Sequence, residues 1–365
     1  MSSTLSVSTL EVRKDNWADT RINTQVLSQE LNENEVLFKV DRQALTANNI
    51  SYASGGDMLD YWGFFPTDDG WGRIPAMGWG VVIASAHPLI KVGERTWGFY
   101  PYSSHHKILA GNVSETSFSD LSAHRENHAP IYSQFDRSTG NPIYDVARED
   151  QDSLLRGLFL TSWLVEDFID VNNAFGSQSC LITSASSKTS IALAYCVKQR
   201  GKLRSVGITS AGNVAFCQSL DCYDAVVSYD QLAELNPTQP VVMVDMAGNA
   251  KVISELHHHF GEQMMYSCRI GATHYSKMGS PKDLPGAKPV FFFAPSHRET
   301  RSEALGMETF TKLMWSSFSG FREFCDRWMT VERSYGANAV TATYQSVLAG
   351  KVDPASGQIV SMWDD

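Results

Sequence analysis

A chain of 365 residues, 43% of them hydrophobic, is long enough for two domains that each bury a core. Its formal net charge of -10 and the absence of a dense Lys/Arg cluster argue against a nucleic-acid partner, because an acidic surface repels phosphate backbones. No segment approaches the roughly 20 continuous apolar residues that cross a bilayer, so no membrane partner is expected.

The Ser/Thr-rich start, residues 1–9, has neither the basic lead nor the apolar stretch of a secretory signal. The cysteines, Cys180, Cys196, Cys217, Cys222, Cys268 and Cys325, form no C-x-x-C pair. A cytoplasmic protein with reduced, mostly buried thiols is the expectation.

Along the first 120 residues or so, short β-segments alternate with turn signals. The clearest strands are 36–40, 80–84 and 95–99, with a Pro- and Gly-containing loop over 87–94. Together they predict a small, irregular barrel. From about 154 the period changes: apolar residues recur at helical spacing to Ile169. Strand-like runs then alternate with helical segments at 179–183, 205–209, 225–228, 241–245, 264–270 and 289–294. That alternation predicts βαβ units and a parallel sheet covered on both faces. An aromatic-rich helix over 304–331 and a strand over 357–363 complete the chain. Phe291, Phe292 and Phe293 suit either a buried interior strand or a sheet edge that pairs two chains, so homodimer and monomer both remain open.

The run Ser184-Ala185-Ser186-Ser187-Lys188-Thr189-Ser190 lies between the first of these strands and its helix. A dinucleotide fold puts its phosphate loop there, with helix N–H groups and the positive dipole end aimed at the pyrophosphate. No glycine is present, but Ser and Ala are the next smallest residues, and Ser186, Ser187 and Thr189 offer hydroxyl donors. A Ser-rich turn whose Thr189 or Ser187 caps an ordinary helix would read the same. The second strand ends in Ser210-Ala211-Gly212-Asn213, where an NAD-preferring fold carries an acid. Neutral Ser210 and Asn213, with Lys188 or Arg204 to meet a 2′-phosphate, favour NADPH. The run His257-His258-His259 cannot form one metal site, since consecutive helical residues diverge, and reads as a solvated helix end.

Taken in order, these segments resemble the medium-chain dehydrogenase/reductase superfamily, in its zinc-independent quinone and enone reductase branch. The resemblance rests on 35–40 as an early barrel strand, on Ala44-Leu45-Thr46-Ala47-Asn48-Asn49 as the substrate-site turn, and on Gly78-Trp79-Gly80-Val81-Val82 with Lys91-Val92-Gly93-Glu94. Further on, Leu160-Thr161-Ser162 and Asp245-Met246-Ala247-Gly248 match the family's helix entry and its D-x-x-G turn. The Ser-Lys-Thr loop and Gly271-Ala272-Thr273-His274 resemble one subgroup of unknown function, the DUF2855 family. The resemblance implies an α/β protein: a GroES-like barrel over 1–150, a Rossmann doubly wound cofactor domain over 151–305, and a segment over 306–365 that returns to the first.

It also implies the site. NADPH would lie against Thr161, Ser184, Ser186, Ser187, Lys188, Thr189, Ser210, Asn213, Ala247, Gly248, Gly271, Ala272, Thr273 and His274. Where zinc-dependent relatives carry a Cys and a His-Glu pair, this chain has Thr46 and Ala76-Met77, so no metal is expected. Without zinc, hydrogen-bond donors must stabilise the substrate oxygen, and Thr46, Asn48, Tyr52 and Thr161 are the candidates. Each has a structural alternative, as turn former or helix cap. Tyr102, His105, Tyr132 and Tyr144 are further amphipathic residues suited to a pocket wall, and the aromatic insertion at 56–73 and the segment 124–150 are suited to line or cover it. The partner is a small electrophile: a carbonyl, quinone or activated alkene. A cofactor-holding sensor on the same fold, without turnover, is the alternative.

Overall fold

The computed structural model describes residues 4–246, 248–270 and 283–364. They divide into two compact units, one built from 1–154 and 329–365, the other from 155–328.

In the first unit β1 (Thr4–Arg13) and β2 (Thr20–Ser28) pair antiparallel, and β1 also pairs with the short β4 (Trp71–Gly72). The barrel is made by β3 (Glu35–Leu45), β5 (Pro75–Ser85), β6 (Arg95–Pro101), β7 (His105–Gly111), β8 (Ser117–Asp120) and β9 (Gln134–Arg137). Their order is β3-β5-β6-β9-β8-β7, and pairing of β7 back onto β3 closes the ring. Closure leaves no free edge among these six strands. Inside, Phe38, Phe118 and Phe135 pack as a triangle, Phe38 lying 6.3 and 5.4 Å from the other two and those 5.8 Å apart. Gly98 gives Phe135 its place, since a Cβ there would lie 2.5 Å from the ring. Helix α1 (Ala47–Ser54) follows β3 directly.

A long helix, α2 (Glu149–Val171), leads into the second unit. Its parallel sheet contains β10 (Ser179–Thr183), β11 (Arg204–Thr209), β12 (Ala225–Ser228), β13 (Val241–Asp245), β14 (Met264–Arg269) and β15 (Pro289–Phe291), in the order β12-β11-β10-β13-β14-β15. The central strands β10 and β13 are buried at every residue, as a sheet covered on both faces requires. Helices α3 (Lys188–Arg200), α4 (Val214–Ser219) and α5 (Ala250–Phe260) connect the strands.

Three sequence expectations change here. The helix expected over 304–331 is the shorter α7 (Met307–Cys325), and a separate helix, α6 (Ala294–Leu305), precedes it across Gly306 with its φ of 78°. Helix α7 packs Phe310 on Trp163, and Phe318 and Phe321 on Phe159, within the compact unit that extends to 328. The strand expected over 289–294 is shorter and lies at the edge of the sheet, with Val290, Phe291 and Phe293 exposed. His257 is fully buried rather than solvated: its ring bridges Ser267 Oγ (3.0 Å) and the Pro285 carbonyl (2.9 Å). All six cysteines are buried and free.

The return to the first unit adds β16 (Thr330–Tyr335), α8 (Ala337–Leu348) and β17 (Ser356–Ser361), which pairs with β3. The strand Thr330–Tyr335 and helix α8 have no counterpart in the sequence reading.

Glu11 on β1 is the buried charge that organises the insertion. It accepts from Arg21 Nε (2.8 Å), Asn23 Nδ2 (3.1 Å), Thr67 Oγ1 (2.6 Å) and Arg73 Nε (2.9 Å). Burial alone would raise its carboxyl, but the hydrogen bonds from Thr67, Arg21 and Asn23 and the charge of Arg73 outweigh that and hold it below the ordinary value. Removing one partner of a buried ion pair strands the other, so Glu11→Ala should cost about 3 kcal/mol in urea unfolding, with Glu11→Gln milder. Because the folded pKa is depressed, this stability is complete above about pH 4.5 and declines as pH falls below it. Glu11→Ala should lack that acid-side decline, and an unchanged acid limb would contradict the assignment.

Candidate functional site

The strand order of the second unit reverses between β10 and β13, and open α/β sheets receive ligands beyond the carboxyl ends of such a pair. Residues 184–187 leave β10 at that point. Ser184 adopts a φ of 51°, the left-handed region that side chains rarely enter. Ala185 is completely buried: its amide donates to the Ile208 carbonyl (3.0 Å) and its carbonyl accepts from Tyr223 Oη (2.8 Å). Its methyl meets β11 at Gly207. A Cβ on Gly207 would lie 3.0 Å from that of Ala185 and 2.9 Å from the Tyr223 ring. The glycine that admits the loop therefore sits in the second strand, not in the loop.

The hydroxyls of the loop separate into two roles. Ser187 caps α3: it accepts from the Ser190 amide (3.1 Å) and donates to Ser190 Oγ (2.8 Å), which itself donates to the Thr183 carbonyl (2.8 Å). Ser186 instead accepts from Asn213 Nδ2 (3.0 Å), and Ser184 Oγ lies 3.5 Å from Tyr229 Oη. Ser210 is exposed at the end of β11, two residues before Gly212, where a Cβ would meet nothing within 4 Å. Ser184, Ser186, Asn213 and Tyr229 thus gather on the loop, beside the first turn of α3, whose leading amides have no intrahelical partner.

Thr161 lies in the middle of α2, not at a helix start, and donates to the Gly157 carbonyl (3.3 Å). Its neighbour Ser162 donates to the Thr189 carbonyl (2.8 Å), which brings this part of α2 to the first turn of α3. Lys188 is half-buried, and its charge is felt at Cys325 in the last turn of α7, where burial nonetheless pushes the thiol well above its ordinary value. Arg204 opens β11, about 17 Å along the strand from the Ser210 end, so it does not serve a phosphate there. On the other side of the switch point, buried Asp245 accepts from Thr183 Oγ1 (2.8 Å) and the Gly248 amide (2.9 Å), with Gly248 at a φ of 72°. Ala247, Gly271, Ala272, Thr273 and His274 lie outside the described residues.

A groove of about 280 Å³ opens in the same unit near Ser177 and Lys202, at the amino ends of β10 and β11. It is remote from the switch point, and its charges pair among themselves: Arg200 with Glu166 (2.7 Å) and Lys202 with Asp170 (2.6 Å).

In the first unit Thr46 is committed to capping α1, its amide and hydroxyl both directed at Asn49 Oδ1 (2.7 and 3.1 Å). Asn48 is exposed and Tyr52 buried, with the Tyr52 ring edge-on to that of Tyr61 (4.9 Å). Burial, then the proximity of Tyr132, raises the Tyr52 phenol well above its ordinary value, so it is a neutral donor. Of the other amphipathic candidates, Tyr102 donates to the Ala44 carbonyl (2.8 Å), Tyr144 donates to Glu149 (2.8 Å), and His105 contacts Ser104 Oγ (3.1 Å). Tyr132 joins Tyr52 by way of Tyr61, a residue the sequence did not single out. Among the described residues no three His, Cys, Asp or Glu side chains group so as to hold a metal ion, and no helix is long and apolar enough to cross a membrane.

The family model described as a protein of unknown function, DUF2855, matches residues 43–353. The chain belongs to the DUF2855 family. No curated protein matches it in sequence. Solved structures do match its fold. CurA from Vibrio vulnificus aligns over 98% of this chain and 99% of its own, with a TM-score of 0.63 and 10% identity. A Bacillus thuringiensis protein assigned as an NADPH:quinone reductase aligns over 98% and 99%, with a TM-score of 0.60 and 14% identity. A mutant form of enoyl thioester reductase from Candida tropicalis aligns over 98% and 100%, with a TM-score of 0.57 and 12% identity. The DUF2855 chain thus has the medium-chain dehydrogenase/reductase fold, a GroES-like barrel with a Rossmann-type sheet.

The interlock of Ala185 with Gly207 is testable. Gly207→Ala should destabilise by about 1–3 kcal/mol through overpacking, and adding Ala185→Gly should restore part of the loss in thermal unfolding. Strict additivity of the two changes would refute the interlock.

Proposed function

We propose that this protein is an NADPH-dependent oxidoreductase of zinc-independent type, reducing a carbonyl, quinone or activated alkene. The observation that carries the reading is the loop at the sheet's switch point. Small residues, the Gly207 opening and the start of α3 together suit close approach of a pyrophosphate. When bound, the nucleotide supplies hydride. The chain's own part in the second unit is to receive phosphate oxygens on Ser184, Ser186 and the leading amides of α3. Ser210 and Asn213 form an acid-free strand end that tolerates a 2′-phosphate, and Lys188 begins the adjoining helix. In the first unit Asn48 and Tyr52 offer the donors that a developing oxyanion needs. Thr46, where metal-dependent relatives carry a zinc ligand, is spent on Asn49, which supports chemistry without zinc.

The names of two structural neighbours agree. CurA has been crystallised with NADPH, and a variant of Etr1p with NADP and crotonyl-CoA. A titration of intrinsic tryptophan fluorescence should show NADPH binding tighter than NADH, and Ser186→Asp should weaken it at least tenfold by placing a carboxylate against the phosphates. NADPH oxidation with an electrophile panel should be insensitive to a chelator. Absence of NADPH binding would overturn the cofactor assignment; binding without turnover of any electrophile would overturn the reductase assignment.

The exposed edge at Val290 and Phe291 supports a homodimer paired through β15. Sedimentation should give twice the chain mass, and Val290→Lys with Phe291→Lys should return it to the monomer. A wild-type monomer at micromolar concentration would exclude this assembly.

A further inference from the structure

The chain leaves β10 through a four-residue turn, in which the Ser187 amide donates to the Ser184 carbonyl (2.8 Å) across Ala185 and Ser186. Neither central residue has a positive φ, which excludes types II, I′ and II′ and leaves type I. Types I and II differ mainly by a half-rotation of the central peptide, here the one that joins Ala185 to Ser186. That peptide takes no part in the turn's own hydrogen bond. The bond from the Ala185 amide to the Ile208 carbonyl fixes the preceding peptide, not this one. Its direction is therefore set from outside the turn.

The outside contact is Tyr223. Its hydroxyl donates to the Ala185 carbonyl (2.8 Å), and its ring lies against Gly207, where a Cβ would come within 2.9 Å of it. Tyr223 is buried, and burial, then the neighbouring Cys222, Cys217 and Cys180, holds its phenol well above the ordinary value. The proton thus stays on the oxygen as a donor. Tyr102 makes a similar bond to the Ala44 carbonyl, but Ala44 lies in β3 and pairs with Ile359 of β17, so the ladder already orients that residue. Ala185 has no such ladder.

A trans peptide carries its C=O and its N–H on opposite sides, and no cis bond occurs among the described residues. With the Ala185 carbonyl drawn to Tyr223, the Ser186 N–H faces away from the packed side of the loop. It has no acceptor among the described residues, and Ser186 is only half-buried. The Ser186 hydroxyl is occupied separately, by Asn213 Nδ2 (3.0 Å). The Ser186 amide therefore stands ahead of the leading amides of α3 as one more main-chain donor. Rotation of the peptide would put the Ala185 oxygen in its place, with lone pairs toward any bound anion, and would drive Ser186 to a positive φ.

We infer that Tyr223 is a positioning residue for the phosphate loop: its hydroxyl holds the Ala185–Ser186 peptide in the orientation that offers the Ser186 amide to a pyrophosphate oxygen. The inference rests on the cofactor reading above and adds to that site a residue that acts through the main chain rather than on the ligand. A fraction of molecules with the peptide rotated would be unable to bind, and the apparent affinity falls by that fraction. Tyr223 keeps the fraction small.

The test follows the Ser186 amide as well as the affinity. In protein labelled with 15N-serine, saturating NADPH should slow hydrogen exchange at the wild-type Ser186 amide roughly tenfold or more. In the tryptophan-fluorescence titration, Tyr223→Phe should weaken NADPH binding about tenfold. Tyr344→Phe, which loses a phenol-to-carbonyl bond to Trp17 (2.9 Å) in the first unit, should not weaken it. Wild-type affinity in folded Tyr223→Phe overturns the inference, and so does equal weakening in Tyr344→Phe, which would mark general loosening. NADPH binding that leaves the Ser186 amide unprotected also overturns it, while the cofactor reading stands. If Tyr223→Phe does not fold, Gly207→Ala decides, because its methyl displaces the Tyr223 ring from the loop. Unweakened NADPH binding there overturns the inference. No NADPH binding by the wild type overturns the cofactor reading, and inorganic pyrophosphate then tests the loop alone. Pyrophosphate protection of the Ser186 amide that Tyr223→Phe weakens upholds the role of Tyr223; no such protection overturns it.

Discussion

The second unit depends on one close contact, the methyl of Ala185 against the bare Cα of Gly207. That contact lets the chain leave β10 and turn hard against β11. The Tyr223 hydroxyl and the Ile208 carbonyl then satisfy the two backbone groups that the turn buries. With Ala185 inside, Ser184 takes the left-handed conformation and Ser186 is presented beside Asn213. Ser187 is left to cap α3, so the helix starts directly at the switch point. A glycine within the loop would achieve the same approach with less constraint. Placing the glycine in the strand instead makes the loop residues define their own geometry, at the cost of a strand position with no side chain to pack.

The first unit handles its charges in a comparable way. Glu11 and Arg125 are buried, and both hold an insertion rather than a barrel strand. Glu11 fixes residues 67–73 from below through Thr67 and Arg73, and Arg125 ties 64 to 132 through backbone carbonyls. Glu11 is satisfied by several partners, the condition under which a buried charge is tolerated, whereas Arg125 has its two carbonyl acceptors and Asp120 at 3.8 Å but leaves its buried Nε without a hydrogen-bond partner. The barrel itself needs neither, because Phe38, Phe118 and Phe135 fill it and the β3–β7 pairing closes it. The additions to the barrel are thus held by polar contacts while the barrel is held by packing.

The alternation of strands and helices after 154 was readable because a doubly covered parallel sheet demands continuous apolar runs, and Val241-Val242-Met243-Val244 shows one plainly. The loop after β10 was readable from its position, but its mechanism was not. Gly207 carried the missing information as a glycine inside a strand, the usual sign of close backbone approach. Thr46 and Ser187 were ambiguous because a hydroxyl at a helix start serves a cap or a ligand with the same residue type, and in both the cap is what the structure shows. Tyr61 was hidden for a different reason: it lies 71 residues before Tyr132, and the two segments meet at the Arg125 clamp, which no local period announces. The helix over 294–305 was not legible because its Ser-, Arg- and Glu-rich sequence carries no apolar stripe, only Ser302 being buried.

The partners of the buried tyrosine hydroxyls distinguish these residues more sharply than burial does. Tyr100, Tyr102 and Tyr52 are all deeply buried, so exposure ranks them alike. Their partners differ. A phenol bonded to a main-chain carbonyl or to Thr96 Oγ1 has its proton direction set by the fold, and replacing its hydroxyl removes a structural bond. A phenol whose neighbours are other phenols has no such fixed acceptor, and its proton can turn to a ligand without leaving a backbone group unsatisfied. Tyr52, Tyr61 and Tyr132 pack on one another through their rings instead. Tyr61 and Tyr132 stand on segments that Glu11, Arg125 and His128 hold in place by bonds independent of the phenols. The placing of these two rings is therefore set by polar contacts of the chain around them and not by their own hydroxyls.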